Sequence, residues 1–281
     1  MCVEYTSPDL AIIHSVLPRR SCFHRKSPGK TVDFQMIAAN IDVAFVVQSC
    51  HYDFNVRRLD RYMVACHEGG IEPVVILTKT DMLPPDEVEG LILDLRGAGI
   101  TSRIIPLSNT TGEGLAMFFS IPEPGKTHCF VGSSGVGKST LVNRLLGRDE
   151  LATKAVSATG EGMHTTTRRQ LIVLQNGAML VDTPGMREFG LLDVGQGLDE
   201  NFSDIRDLSL QCRFANCTHT QEPGCAILEA IKAGNLNEER YQSYLKLKKE
   251  SDHHNLSLGE KRKKDKDFGR YIKSVLKQRK R

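Results

Sequence analysis

Lys126–Thr140 reads KTHCFVGSSGVGKST, and its reading decides the fold. Lys126–Val131 has the apolar make-up of a short buried strand, and Thr140–Leu146 continues as a helix. Between them Gly132, Ser133, Ser134, Gly135, Val136, Gly137, Lys138 and Ser139 fit G-x-x-x-x-G-K-[ST], the pattern of a phosphate-binding loop. The glycines let successive N–H groups turn inward toward phosphate oxygens. The helix N-terminus, at Ser139 and Thr140, adds its positive end. Lys138 would reach the β- and γ-phosphates, and the Ser139 hydroxyl would ligate Mg²⁺. A Gly/Ser-rich turn before an ordinary helix is the plain alternative, and the strand–loop–helix flanks weigh against it. The position is unusual: 125 residues precede this segment.

Those preceding residues show strands alternating with helices. Ile41–Val47, Pro73–Leu77 and Ser102–Leu107 read as strands, while Arg57–His67 and Pro85–Leu95 read as helices, stopping at Gly69-Gly70 and Gly97. Downstream, Gln170–Leu174 and Ala178–Val181 form a hairpin about Asn176-Gly177. The pattern predicts a doubly wound, mostly parallel α/β sheet. Polar motifs then fall at strand ends, where such sheets place their chemistry. Thr78-Lys79-Thr80-Asp81 follows the second strand. A carboxylate there accepts from two adjacent guanine donors that adenine lacks, and Lys79 lies along the base; a polar βα loop would have the same composition. Ser108-Asn109 after the third strand offers backbone N–H groups to the guanine O6. Gly162-Met163-His164-Thr165-Thr166-Thr167 precedes the hairpin; Thr166 would complete the Mg²⁺ shell and sense the γ-phosphate, although a Thr-rich strand entry reads the same. The hairpin's second strand runs into Asp182-Thr183-Pro184-Gly185, with Asp182 on Mg²⁺ and the Gly185 N–H on the γ-phosphate. These are the five elements of a guanine-nucleotide site, ordered base, base, phosphate, switch, switch. The usual order begins at the phosphate loop, so the chain is circularly permuted.

The chain has 281 residues, 40% apolar and 25% charged, the make-up of a soluble globular protein. No apolar run reaches the roughly 20 residues of a membrane span, and the N-terminus lacks the basic and apolar regions of a signal peptide. Residues 261–281 carry eleven Lys/Arg and two Asp against a net charge of +3, so the other 260 residues sum to −6. A basic tail on a mildly acidic body suits a polyanionic partner. Within the tail Phe268, Tyr271, Ile272, Val275 and Leu276 form one helical stripe opposite Lys/Arg. RNA backbone binding, a solvated tail and a membrane-surface helix share this signature. Five of eight cysteines are scattered singly, as free thiols in a reducing cytoplasm would be. The other three form Cys212-x4-Cys217-x-His219-x5-Cys225, whose three thiolates and one imidazole suit a closed structural zinc tetrahedron, on a spacing that is not that of a common zinc finger. Helices over Ala226–Lys232 and Asn237–Lys248 flank it.

The order TKTD, SNTTGEGL, GSSGVGKS, GMHTTT, DTPG, followed by CRFANCTHTQEPGCAI, resembles the ribosome small-subunit-dependent GTPase A family (RsgA, YjeQ-type). LPRRSCFHRKSPG, AANIDVAFVV, DFNVRRLDRY and PGMREFGL extend the resemblance over nearly the whole chain. It implies a GTPase stimulated by the small ribosomal subunit and acting in its late maturation, cytoplasmic and monomeric, bound to rRNA, with Mg²⁺ accompanying GTP and one structural zinc. It implies three regions: residues 1–34 as the remnant of an OB-type barrel, 35–192 as the permuted GTPase domain, and 193–281 as a small helical zinc-binding domain with a basic tail. Residues 1–34 resemble only the barrel's last strands, so the RNA contacts that the resemblance attributes to the barrel are not carried over to them. Many GTPases carry a water-orienting glutamine after D-x-x-G; Met186 stands there, and the resemblance implies an apolar residue at that place. His164 is the candidate for that task beside Lys138 and Thr166, with packing or RNA contact as its alternative. Two other functions fit: a permuted GTPase for another RNA substrate such as the large subunit, and a low-turnover nucleotide-gated RNA-binding switch.

Overall fold

The structure is a computed structural model that describes residues 2–7, 10–26, 34–51, 53–147, 170–182 and 195–255. β1 (Cys2–Ser7) and β2 (Leu10–Ser15) form an antiparallel hairpin, and every residue of β2 is exposed. β3 (Cys22–Lys26) and β4 (Phe34–Ala39) form a second hairpin, whose pairing spans the boundary expected between residues 34 and 35. This hairpin joins the main core through Phe23 and Ile37, and the Cys22 N–H donates to the Gly69 carbonyl at 3.0 Å.

The central sheet grows from β5 (Val43–Ser49), followed by α1 (Val56–Glu68), β6 (Glu72–Thr78), α2 (Pro85–Gly97), β7 (Arg103–Pro106) and α3 (Leu115–Phe119). β8 (Thr127–Val131), α4 (Lys138–Leu146), β9 (Gln170–Val173) and β10 (Met179–Asp182) complete it. The strand order is β7-β6-β5-β8-β10-β9, parallel except for the β9–β10 hairpin. The continuous apolar run of β5 is explained by burial on both faces: all seven of its residues are buried. Val43, Phe45 and Val47 pack toward α3 and α4, while Ala44 and Val46 pack toward α1. Chain order reverses direction between β5 and β8, and in open α/β sheets ligands bind at that switch point, beyond the carboxyl ends of the strands. The strands match those expected to within two residues. α3 is too short, at five residues, for its periodicity to be read.

Residues 195–255 are helical: α5 (Gly195–Asn201), α6 (Ser203–Ser209), a cysteine-bearing loop, α7 (Ala226–Lys232) and α8 (Glu238–Asn255). Asn237 caps α8, its Oδ1 accepting the Glu239 N–H at 2.7 Å and the Arg240 N–H at 3.3 Å. α8 runs on to Asn255 rather than stopping at Lys248. Phe202, Ile205, Ile227, Tyr244 and Leu247 share one hydrophobic core with α1 and the sheet.

Four buried polar residues, Arg240, Asn201, Asp60 and Ser243, fix this packing. Arg240, 7% exposed, donates to both Asp204 oxygens at 2.7 and 2.8 Å and to the Asn201 carbonyl at 2.8 Å. It also reaches the Ala98 carbonyl beyond α2 and lies over the Phe202 ring at 4.7 Å. Asp60 of α1, 2% exposed, accepts from the Ser243 hydroxyl of α8 at 2.6 Å and from Asn201 Nδ2 at 3.5 Å. Burial pushes its carboxyl up to about 6, against the opposing pull of Ser243, Arg240 and Asn201. An acid whose pKa rises on folding binds more protons in the folded state between its two pKa values. Stability from Asp60 is therefore full below pH 4, falls as pH rises to about 6, and is level above. Asp60→Asn keeps an acceptor for Ser243 but cannot ionise. Urea midpoints taken from pH 4 to 7 should show the wild type losing stability relative to Asp60→Asn across that window, and parallel curves would contradict a buried ionising carboxyl.

Candidate nucleotide site and metal centre

The phosphate loop joins β8 to α4 between two neighbouring strands. Gly132, at φ 139°, passes so close to β5 that a Cβ would lie 2.2 Å from the Val47 carbonyl oxygen. Gly137, at φ 98°, caps α4 and lies against Asn109, whose Nδ2 is 3.2 Å from where a Cβ would stand. Val136, between them in the loop, is buried, and its carbonyl accepts the Thr78 hydroxyl at 2.7 Å. Thr78 itself is fully buried, so this residue, expected to touch nucleotide, has its side chain engaged in holding the loop. Lys138 Nζ donates to the carbonyls of Gly132 at 2.7 Å and Ser133 at 2.5 Å, which holds the ammonium across the loop. Ser139 and Thr140 occupy the first turn of α4, and Gly135 takes a left-handed φ of 77° between the two outer glycines. The Ser133 side chain also hydrogen-bonds Tyr62 of α1. Ser134 lies beside it in the loop.

The base-side residues gather at the ends of β6 and β7. Lys79 takes a left-handed φ of 62°, turning the chain from β6 into a 3₁₀ turn at Thr80–Met82. That conformation is uncommon for a residue with a side chain and concentrates at functional sites. The Ser108 hydroxyl donates to Asp81 Oδ1 at 2.5 Å and accepts the N–H groups of Thr110 and Thr111, both at 3.0 Å. This fixes the carboxylate expected to read guanine. Asn109 bridges the two regions: its side chain lies against Gly137, and its carbonyl accepts from Arg144 of α4 at 2.9 Å. Among the described residues, the Asn109 Oδ1 and Thr80 Oγ1 atoms are buried without a hydrogen-bond partner. Buried orphaned oxygens are costly.

For Mg²⁺, the structure places the backbone of Asp182 at the end of β10, directly beside β8 and the phosphate loop, and Ser139 at the start of α4. Gly185, His164, Thr166 and Met186 lie outside the described residues, as does the stripe Phe268–Leu276.

Cys212, Cys217, His219 and Cys225 converge, with all ligand atoms within 4.8 Å of one another. Cys212 Sγ and Cys225 Sγ are 4.0 Å apart and lie 3.5 and 3.7 Å from His219 Nδ1. A zinc tetrahedron with Zn–S near 2.3 Å and Zn–N near 2.0 Å has edges of about 3.5–3.8 Å. The residues therefore fit zinc, and the cysteines are free thiols rather than a disulfide. Burial, aided by the Lys248 charge, lowers the His219 pKa and favours the neutral ring a metal needs. The Tyr241 hydroxyl of α8 donates to the His219 carbonyl at 2.5 Å. Hydrogen bonds from Thr218, then from the Gln221 N–H, hold the Glu222 carboxyl down to about 2. Tyr62, Tyr241 and Glu222 were not marked by any motif. Only the place of Glu222 between two ligands hinted at a role.

A phosphate loop at the switch point, a fixed carboxylate beside it, and base-reading loops that precede it in the chain define a circularly permuted P-loop GTPase. A model of the RsgA GTPase family matches residues 16–192, and the chain belongs to that family of GTP-hydrolysing enzymes. It is 40% identical over 262 residues to the small ribosomal subunit biogenesis GTPase RsgA 2 of Vibrio parahaemolyticus, covering 93% of this chain and 73% of that protein. RsgA 1 of Bacteroides thetaiotaomicron is 41% identical over 274 residues, 95% of this chain and 75% of its own length. The fold resembles a crystal structure of YjeQ from Thermotoga maritima with TM-score 0.62 and 26% identity, covering 84% of this chain and 77% of that one. The circularly permuted GTPase YloQ shares the fold at TM-score 0.59 and 22% identity, over 87% and 84% of the two chains.

Asp81→Asn should exchange GTP preference for XTP, because xanthine presents an acceptor where guanine has its amino donor. Competition of the two nucleotides for the variant measures this, and an unchanged GTP preference would contradict the base assignment.

Proposed function

We propose that this GTPase acts in late maturation of the small ribosomal subunit and that the subunit stimulates its hydrolysis. What supports the reading is that relatives named for small-subunit biogenesis align with over nine-tenths of this chain, through the GTPase sheet and the Cys₃His helical half alike. The protein works in the cytoplasm as a monomer; no described helix is long and apolar enough to cross a membrane.

The roles divide by position. Asp81, held by Ser108, selects guanine, with Lys79 along the base and Asn109 beside it. The N–H groups of Gly132–Thr140 receive the phosphates, and Lys138 offsets their charge. Ser139, Thr166 and Asp182 would hold Mg²⁺, which would neutralise phosphate charge. Gly185 contacts the γ-phosphate, and Met186 cannot orient water. We assign that task to His164. The zinc centre is structural, since four protein ligands leave no open position. The basic tail binds rRNA backbone, in a salt-dependent way.

Met186 favours one second reading, a low-turnover switch that binds RNA according to its nucleotide. GTP hydrolysis measured alone, with small subunits and with large subunits separates the readings. Small subunits alone should stimulate the wild type. His164→Ala should lose about 100-fold or more of the stimulated rate with nucleotide affinity kept. Stimulation by large subunits would move the substrate. No stimulation by either would favour the switch, and an undiminished His164→Ala rate would remove His164 from the chemistry.

A further inference from the structure

We propose that Glu222 is the positioning residue of the metal centre, folding the loop between Cys217 and Cys225 so that His219 presents Nδ1 to the cysteines. Both carboxylate oxygens are engaged. Oε1 accepts the Thr218 N–H at 3.0 Å and the Thr218 hydroxyl at 2.5 Å. Oε2 accepts the N–H groups of Thr220 and Gln221, each at 3.1 Å. The Thr218 and Thr220 hydroxyls lie 2.8 Å apart, closing the loop on itself.

These donors bracket His219 on both sides. His219 is itself left-handed, at φ 63°, a conformation that is costly for a residue with a side chain. Two contacts offset that cost. The Tyr241 hydroxyl holds the His219 carbonyl from α8, and the Glu222 carboxylate gathers the N–H groups before and after it. Thr218 and Thr220 are exposed, so without Glu222 their N–H groups would turn to water and the loop would relax toward ordinary backbone angles. The imidazole would then leave the edge it shares with Cys212 and Cys225 at 3.5 and 3.7 Å. A carboxylate suits the place because three N–H groups and one hydroxyl converge on it, and it offers acceptors only. Glutamine supplies a single acceptor oxygen there, and alanine none. Glu222 is not a fifth ligand, because both of its oxygens serve the loop.

This inference rests on the Cys₃His cluster holding zinc, and the test separates the two claims. The full-length protein is loaded with Zn²⁺, and metal transfer to a chromogenic chelator is timed. The Co²⁺-substituted form is examined for the visible d–d bands of a tetrahedral S₃N site. Glu222→Ala should release zinc about 10–100-fold faster, the usual effect of removing an outer-shell partner. Its Co²⁺ bands should weaken and shift as His219 disengages. Glu222→Gln should fall between Glu222→Ala and the wild type, and it carries the test if the alanine variant does not fold. Glu229→Ala, an exposed carboxylate on α7, should match the wild type. A general loss of stability would lower the melting temperature without moving the Co²⁺ bands of the folded protein. Wild-type release rates and bands in both Glu222 variants would overturn the positioning role. A wild type that takes up neither metal would overturn the zinc reading and this inference with it.

Discussion

The phosphate loop is held at both ends by strands on which it does not lie. Gly132 runs against the Val47 carbonyl of β5 with no room for a Cβ, and Thr78 at the end of β6 donates its hydroxyl to the Val136 carbonyl. The loop's shape therefore depends on β5, β6 and β8 lying in one order in the sheet. It does not depend on the order in which the chain supplies them. That is the physical reason a permuted chain can build the same pocket. The base-reading turn after β6 and the loop after β7 are synthesised before the phosphate loop, yet Asn109 still meets Gly137 and Arg144.

Much of this was legible because it is local. A continuous apolar run marks a strand buried on both faces, and β5 and β6 were read from such runs. Asn176-Gly177 specified its hairpin, and G-x-x-x-x-G-K-S announced both the bend and the helix after it. The Cys₃His ligands were legible from residue type and spacing, since metal chemistry restricts which side chains serve. The long-range partners were hidden. Asp60 and Ser243 meet across 183 residues, and Arg240 meets Asp204 across 36. Periodicity marks which face of a helix is buried and leaves open what a polar group on that face will meet. Thr78 illustrates the difference: its motif suggested a nucleotide contact, and the fold shows a hydroxyl tied to the loop's backbone. His164, Thr166 and Gly185 rest on their motifs, since they lie outside the described residues.

The two halves of the molecule are joined through α1. Near the phosphate loop its Tyr62 hydrogen-bonds Ser133; on the other side Asp60 meets Ser243 and Arg61 pairs with Glu250, both on α8. Tyr241, also on α8, donates to the carbonyl of His219 in the Cys₃His cluster. These separate polar contacts and the shared hydrophobic core tie the Cys₃His helices to the sheet that carries the phosphate loop. Arg240 adds a second tie, from α8 to the turn after α2. Packing of this kind seats the helices of residues 195–255 against α1 and the GTPase sheet.

The most direct test of a single guanine pocket built from segments in reversed chain order is nucleotide competition on the intact protein. Fluorescent GDP is bound in the presence of Mg²⁺ and displaced by unlabelled nucleotides. GTP and GDP should displace it at similar low concentrations, while ATP should fail even in large excess. Equal displacement by ATP would show that the loops after β6 and β7 do not read the base held by this phosphate loop, and the permuted-pocket account would be wrong.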